Sequence, residues 1–231
     1  MTLAKIISCK VTPSQINPFS HCQSQWGLTA TCNGFLGQFG GWVNPNETSE
    51  YQRAIIIALW QSQAHLTAFM QSVHDDIIEH NLQGDTYLHC QVKRQQHVMS
   101  INSNQLIIPK VNLIRVAYCN GVIDKQKFIR DQQQIWNPGM HEQAGFLGGD
   151  VWQEEARHKN TDSGKNEGIN ASTETNYVVV TYWASEQAHL AYLNNTFPRL
   201  KSQVNPLDYI KHISGDTILV ERKWDVLSSI I

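Results

Sequence analysis

His74 is the side chain best placed by its spacing to move a proton. It lies four residues after Met70 and three before Ile77. That puts it at the edge of an apolar stripe, Leu66, Phe69, Met70, Val73 and Ile77, which follows helical spacing. An imidazole there could serve as a general base or as an axial haem ligand; the alternative is a ring hydrogen-bonded at a helix–sheet contact. Gln23 and Gln133 are read on the buried faces of their helices, three residues before Trp26 and Trp136. An amide there could hold a ligand carbonyl or a peroxide, or could tie down the backbone of the next strand. Trp26 and Trp42 are candidates to face a cavity, whereas Trp60 and Trp183 end apolar strands and read as core.

Other chemistries find no pattern. Gly37, Gly40 and Gly41 are not followed by Gly-Lys-Ser/Thr, so they read as a bulge or a close backbone approach rather than a phosphate cradle. Asp76 and His80 share a helix face and His89-Cys90 sits in a strand, but neither has a zinc-ligand spacing. No metal site is expected.

The elements that must position these residues come in two copies. Cys9 matches Cys119, Gln23 matches Gln133, Trp26 matches Trp136 and Trp42 matches Trp152, all at an offset of 110. Gly34-Phe35-Leu36-Gly37 returns as Gly145-Phe146-Leu147-Gly148 at 111, and Trp60-Gln61-Ser62 as Trp183-Ala184-Ser185 at 123. Gly84-Asp85-Thr86 also reappears, as Gly215-Asp216-Thr217. The jump between offsets locates a polar insertion in the second copy at about 153–176, expected to be an exposed loop. The reading is therefore a first module at 1–98, a linker at 99–111 and a second module at 112–231.

Each copy reads strand, helix, strand, strand, helix, strand. The first helix of copy one takes in Phe19, Cys22 and Trp26, and that of copy two is capped by Asp124. The second helices open at Ser62 and Ser185, and Pro198 should kink the latter. The fourth strands are placed at 86–93 and 217–223. The order βαββαβ is the ferredoxin-like unit, giving an α+β fold by tandem duplication. One such sheet leaves a face uncovered, and two sheets facing each other cover it as a barrel with helices outside. This chain could do so alone, or each copy could pair with another subunit in a homodimer.

The hydrophobic fraction of 41% suffices for real cores, and a net charge of -2 offers no footprint for nucleic acid or an anionic membrane. The longest apolar run, 54–60, is too short to span a bilayer, and the first residues lack a signal-peptide pattern. Five cysteines without a CxxC pair read as reduced thiols, so a cytoplasmic location is expected.

Gln23-x-x-Trp26 followed by Gly34-Phe35-x-Gly37-Gln38-x-Gly40-Gly41-Trp42 resembles the YdbC-like family of uncharacterised bacterial proteins. So do Ala58-Leu59-Trp60, Ser72-x-His74-Asp75 and Trp136-Asn137-Pro138-Gly139-Met140. The resemblance implies the dimeric α+β barrel superfamily, which includes antibiotic-biosynthesis-type monooxygenases, haem-degrading monooxygenases and binding modules. It implies a small hydrophobic or aromatic substrate and cofactor-independent oxygenation, in which a base deprotonates the substrate and the carbanion reacts with O2. His74 would be the base, Gln23 and Asn137 would orient oxygen atoms, and Trp26, Trp42 and Trp136 would wall the substrate. The superfamily's monooxygenases place an Asn near the end of the first strand, where this chain has Ser8 or Cys9, with Asn120 only in copy two. The other reading is a module that binds without catalysis, with haem held by His74 as a special case.

Overall fold

The computed structural model describes residues 1–44, 50–102, 110–155 and 175–229. Most of the linker read at 99–111 and of the insertion read at 153–176 lies outside them. The first module runs β1 (Leu3–Val11), α1 (Ile16–Gln23), β2 (Phe35–Val43), β3 (Gln52–Trp60), α2 (Gln63–Ser72), α3 (His74–Asn81) and β4 (His89–Ile101). The second runs β5 (Leu113–Val122), α4 (Lys125–Asp131), α5 (Asn137–His141), β6 (Phe146–Glu154), β7 (Thr175–Trp183), α6 (Glu186–Ala191), α7 (Phe197–Lys201) and β8 (Ile210–Val220). Ser62, Asp124 and Ser185 cap α2, α4 and α6 as expected, each side chain accepting a backbone N–H of the first turn.

Strand order is β4-β1-β3-β2 in one module and β8-β5-β7-β6 in the other, the ferredoxin-like arrangement, with every pairing antiparallel. The modules join where β4 pairs with β6 and β2 with β8. Eight strands thus close into one barrel within a single chain, and a short β9 (Val226–Leu227) adds to β2. The alternation of side chains sorts β1 and β5 between two faces. Ala4, Ile6, Ile114 and Val116 point into the barrel with Phe39, Ile55, Ile57, Trp152, Val180 and Tyr182, which fill it. Leu3, Cys9, Leu113 and Cys119 point outward under the helices. Arg53 on β3 forks onto Asp216 on β8 at 2.7 and 2.8 Å, an ion pair across the two modules.

At the β2–β8 seam the chain passes so close that a Cβ on Gly41 would lie 1.9 Å from the Leu219 carbonyl oxygen. One on Gly40 would lie 2.3 Å from that of Ile55. The glycine run is therefore a close backbone approach, as read from the sequence.

Several details of the repeat need correction. The register pairs Trp42 with Ala54 and Gln153 with Tyr177, so the counterpart of Trp42 is Gln153 rather than Trp152. A one-residue slip reverses the face of a strand. Trp42 lies on the helix side with Phe19 and Trp224, whereas Trp152 lies inside the barrel. Gly84-Asp85-Thr86 forms a 3-10 turn before β4 while Gly215-Asp216-Thr217 is mid-strand in β8, so that match is coincidental. The fourth strands are β4 and β8, longer and differently bounded than the spacing suggested.

The helices also depart from the simple pattern. α1 ends at Gln23, and Trp26 opens a separate 3-10 segment, Trp26–Thr31. The stripe ending at Ile77 is divided by a break at Val73 between α2 and α3. In the second module π-helical segments, Gln132–Trp136 and Tyr192–Thr196, precede Asn137-Pro138 and Phe197-Pro198. Proline offers no N–H and crowds the turn before it, and the wider π turn takes up the misfit, so Pro198 distorts its helix in this way.

Candidate functional site

Among the described residues a cavity lies under the helices of each module, outside the barrel wall. The first, about 160 Å³, is floored by Lys5, Ile7 and Cys9 of β1 and Cys90 and Val92 of β4. Its roof is Gln23, Trp26, His74, Ile78 and Gln83. The second, about 320 Å³, has Arg115, Ala117 and Cys119 of β5 in its floor and Gln132, Trp136, His189, Tyr192 and Phe197 among its roof. Lys5 and Arg115 are 110 residues apart, as are Cys9 and Cys119, so equivalent positions line equivalent cavities.

In the first cavity His74 begins α3. Its Nδ1 lies 2.8 Å from the Asp75 carboxylate, and its ring packs 5.7 Å from both Trp26 and Phe69. A carboxylate can only accept, so Nδ1 carries the proton and Nε2 of the neutral ring keeps its lone pair. Burial lowers the His74 pKa against the opposing pull of Asp75, and the Lys5 charge lowers it further. The ring is thus held in the form that accepts a proton at neutral pH.

Lys5 is 7% exposed, and Nζ donates to the Met70 sulfur at 3.4 Å. Burial brings its pKa down to about 8, with Cys90 pulling it back up and Arg94 lowering it. A poorly solvated cation in a cavity favours an anion beside it.

Gln23 is 4% exposed and its Oε1 accepts from Gln83 Nε2 at 2.7 Å, while Gln83 Oε1 accepts from Trp26 Nε1 at 2.5 Å. The three side chains form one buried chain that fixes the cavity roof. The structure therefore brings together His74, Gln23 and Trp26. Trp136 lines the second cavity. Trp42 lies outside both, packed 5.6 Å from Phe19 and 5.1 Å from Trp224. Asn137 lines neither, and its Nδ2 points to the Met99 sulfur at 3.6 Å.

Gln133 is exposed, and Gln132 takes the buried position expected of it, because the π segment inserts one residue before Trp136. The Gln132 Oε1 is buried without a hydrogen-bond partner. Arg115 gives Nη1 to the carbonyls of Val116 and Asp216. His189, 4% exposed, packs 5.3 Å from Trp183, and burial with the nearby Arg115 charge brings its pKa to about 4. Lys5, Arg115 and Gln83 were missed by the sequence reading. The signal for the first two was a cation at the same helix-facing position of each first strand.

Among the described residues no cluster of three or more His, Cys, Asp or Glu could hold a metal ion. No helix among them is long and apolar enough to cross a membrane.

The sequence profile of a family described as a domain of unknown function (DUF4937) matches residues 3–95. No curated protein matches the chain. Among solved structures, an anthrone oxidase-like protein is 12% identical with a TM-score of 0.66, covering 100% of this chain and 97% of its own. A candidate monooxygenase from Lactobacillus acidophilus NCFM is 10% identical with a TM-score of 0.64, covering 100% and 98%. A candidate chlorite dismutase is 7% identical with a TM-score of 0.54, covering 96% of both chains. At these identities the likeness is one of fold: a dimeric α+β barrel whose two halves are here one polypeptide.

Proposed function

We propose that the first module carries out cofactor-independent oxygenation of a small single-ring phenol or hydroquinone, keeping the chain with the YdbC-like proteins it resembles. One juxtaposition supports this reading: His74, neutral with Nδ1 tied to Asp75, and the buried ammonium of Lys5 line the same cavity. The base takes the substrate proton and the ammonium stabilises the oxyanion that results. Trp26, held by Gln83, walls the ring. The deprotonated hydroquinone then reduces O2; one oxygen atom enters the product, a hydroxyquinone, and the other leaves as water. A cavity of about 160 Å³ suits one ring, since about 150 Å³ accommodates benzene. Resemblance in fold to an anthrone oxidase-like protein agrees with this chemistry.

The residues around His74 do not fit a haem in this conformation. Their cavity, about 160 Å³, is smaller than the roughly 300–1,000 Å³ typical of larger organic ligands.

The test is an oxygen-electrode screen of single-ring hydroquinones with wild type, His74→Ala and Lys5→Met. Substrate-dependent uptake should fall about 10²- to 10⁴-fold in His74→Ala, and Lys5→Met should slow turnover as well. Uptake unchanged in both variants, or absent across the panel, would sink the assignment.

A second reading, binding without catalysis, is favoured in the other module by the unpartnered Gln132 Oε1 and by Phe197 standing where a base would be. An aromatic ligand that raises thermal stability there should lose that effect in Trp136→Ala.

A further inference from the structure

Cys9 and Cys90 are direct cross-strand partners on β1 and β4, with their sulfur atoms 3.3 Å apart. Directly opposed residues have Cα atoms about 4.5–5.5 Å apart, inside the roughly 4.4–6.8 Å span a disulfide requires. Both line the first cavity, so a small oxidant that enters it meets both sulfurs. Cys9 is 2% exposed whereas Cys90 is partly open.

The two thiols differ in character. Cys9 gives its S–H to the Cys90 sulfur, and that bond is the largest influence lowering the Cys90 pKa, with the Lys5 charge assisting against burial. The same bond, together with burial, raises the Cys9 pKa. Cys90, the more open and the more acidic of the two, is the thiol placed to attack, and Cys9 the one placed to resolve. The second module lacks the pair, because the strand partner of Cys119 is Ile213.

We propose that Cys9 and Cys90 form a redox-active dithiol, which hydrogen peroxide or a small organic hydroperoxide converts into a cross-strand disulfide on the floor of the first cavity. The Cys90 thiolate attacks the peroxide oxygen, breaking the O–O bond. This gives a sulfenic acid and a hydroxide (or alkoxide) that takes a proton from solvent. Cys9 then attacks the Cys90 sulfur; the S–S bond forms and the hydroxyl leaves with the Cys9 proton as water. The protein loses two protons and two electrons, and the peroxide is reduced.

The experiment uses the reduced full chain, treated with a few equivalents of hydrogen peroxide and then denatured for thiol counting and peptide mass spectrometry. Free thiols should fall from five to three, with Cys9 linked to Cys90 and full reversal by dithiothreitol. In Cys9→Ser the sulfenic acid should persist at Cys90 and be trapped by dimedone. In Cys90→Ser, Cys9 should remain a thiol at the same dose, and Cys119→Ser should behave as wild type apart from its missing thiol. Retention of all five thiols in the wild type, a bridge between other cysteines, or oxidation of Cys9 ahead of Cys90 would overturn the proposal. The wild-type measurement decides the outcome even if a variant fails to fold.

Discussion

His74 and Phe197 open equivalent helices in the two modules, and each ring stands 5.7 Å from the tryptophan of its own roof, Trp26 or Trp136. The two rings fill the same space with different chemistry. One module keeps a proton acceptor there and the other an apolar wall, while a cation, Lys5 or Arg115, occupies the floor of both.

His74→Phe should therefore separate packing from chemistry. The second module already uses Phe at this position, so the melting temperature should change little. Oxygen uptake should fall as far as in His74→Ala. A variant that melts much lower would mean that the imidazole is a structural contact, and a calorimetric scan beside the electrode trace reads both.

The roof network sets a second expectation. Gln83→Leu leaves Trp26 Nε1 and Gln23 Oε1 buried without their partner, at about 1–3 kcal/mol for each unsatisfied group. Adding Trp26→Phe removes one orphan, so the double variant should recover part of the loss in urea unfolding. Simple additivity of the two costs would mean that the chain of amides acts as separate contacts.

Acid stability should report on His189. The unfolded residue binds a proton near 6.5 and the folded one only near 4. Between those values the unfolded state carries more protons, so stability falls as pH drops through that window. The gap of about two and a half pH units corresponds to at most about 3 kcal/mol. His74, also lowered, contributes in the same direction. His189→Leu should flatten the profile between pH 6.5 and 4, and an unchanged slope would assign the acid sensitivity elsewhere.

Gly41→Ala tests the seam. Its methyl would meet the Leu219 carbonyl oxygen, which is backbone and cannot swing aside. A cost of about 1–3 kcal/mol or more is expected from the strand displacement this forces. The denaturation midpoint should drop accordingly. A silent substitution would mean that β2 and β8 pair less tightly than described.

The order of strands and helices was legible because alternation, helical spacing and capping residues are local signals, and the duplication repeated each of them. Barrel closure followed from the uncovered sheet face. What sequence offsets could not carry was register. A match at 110 rather than 111 placed Trp42 opposite the wrong partner and on the wrong face, and a π turn moved the buried amide from Gln133 to Gln132. His74, Gln23 and Trp26 converge because α1, α3 and the turn between α1 and β2 all roof one stretch of β1. Lys5 escaped notice because a lone lysine in a strand looks solvated until the helices covering it are placed.

Closing the barrel within one polypeptide has a consequence for how the two halves can change. In a pair of identical subunits every substitution is written twice, so a histidine at one roof is a histidine at both. Here the halves are encoded separately. Phe197 could replace the position of His74, and Ile213 that of Cys90, without touching the first module. The shared wall ties their stabilities together, and their repertoires are free to diverge.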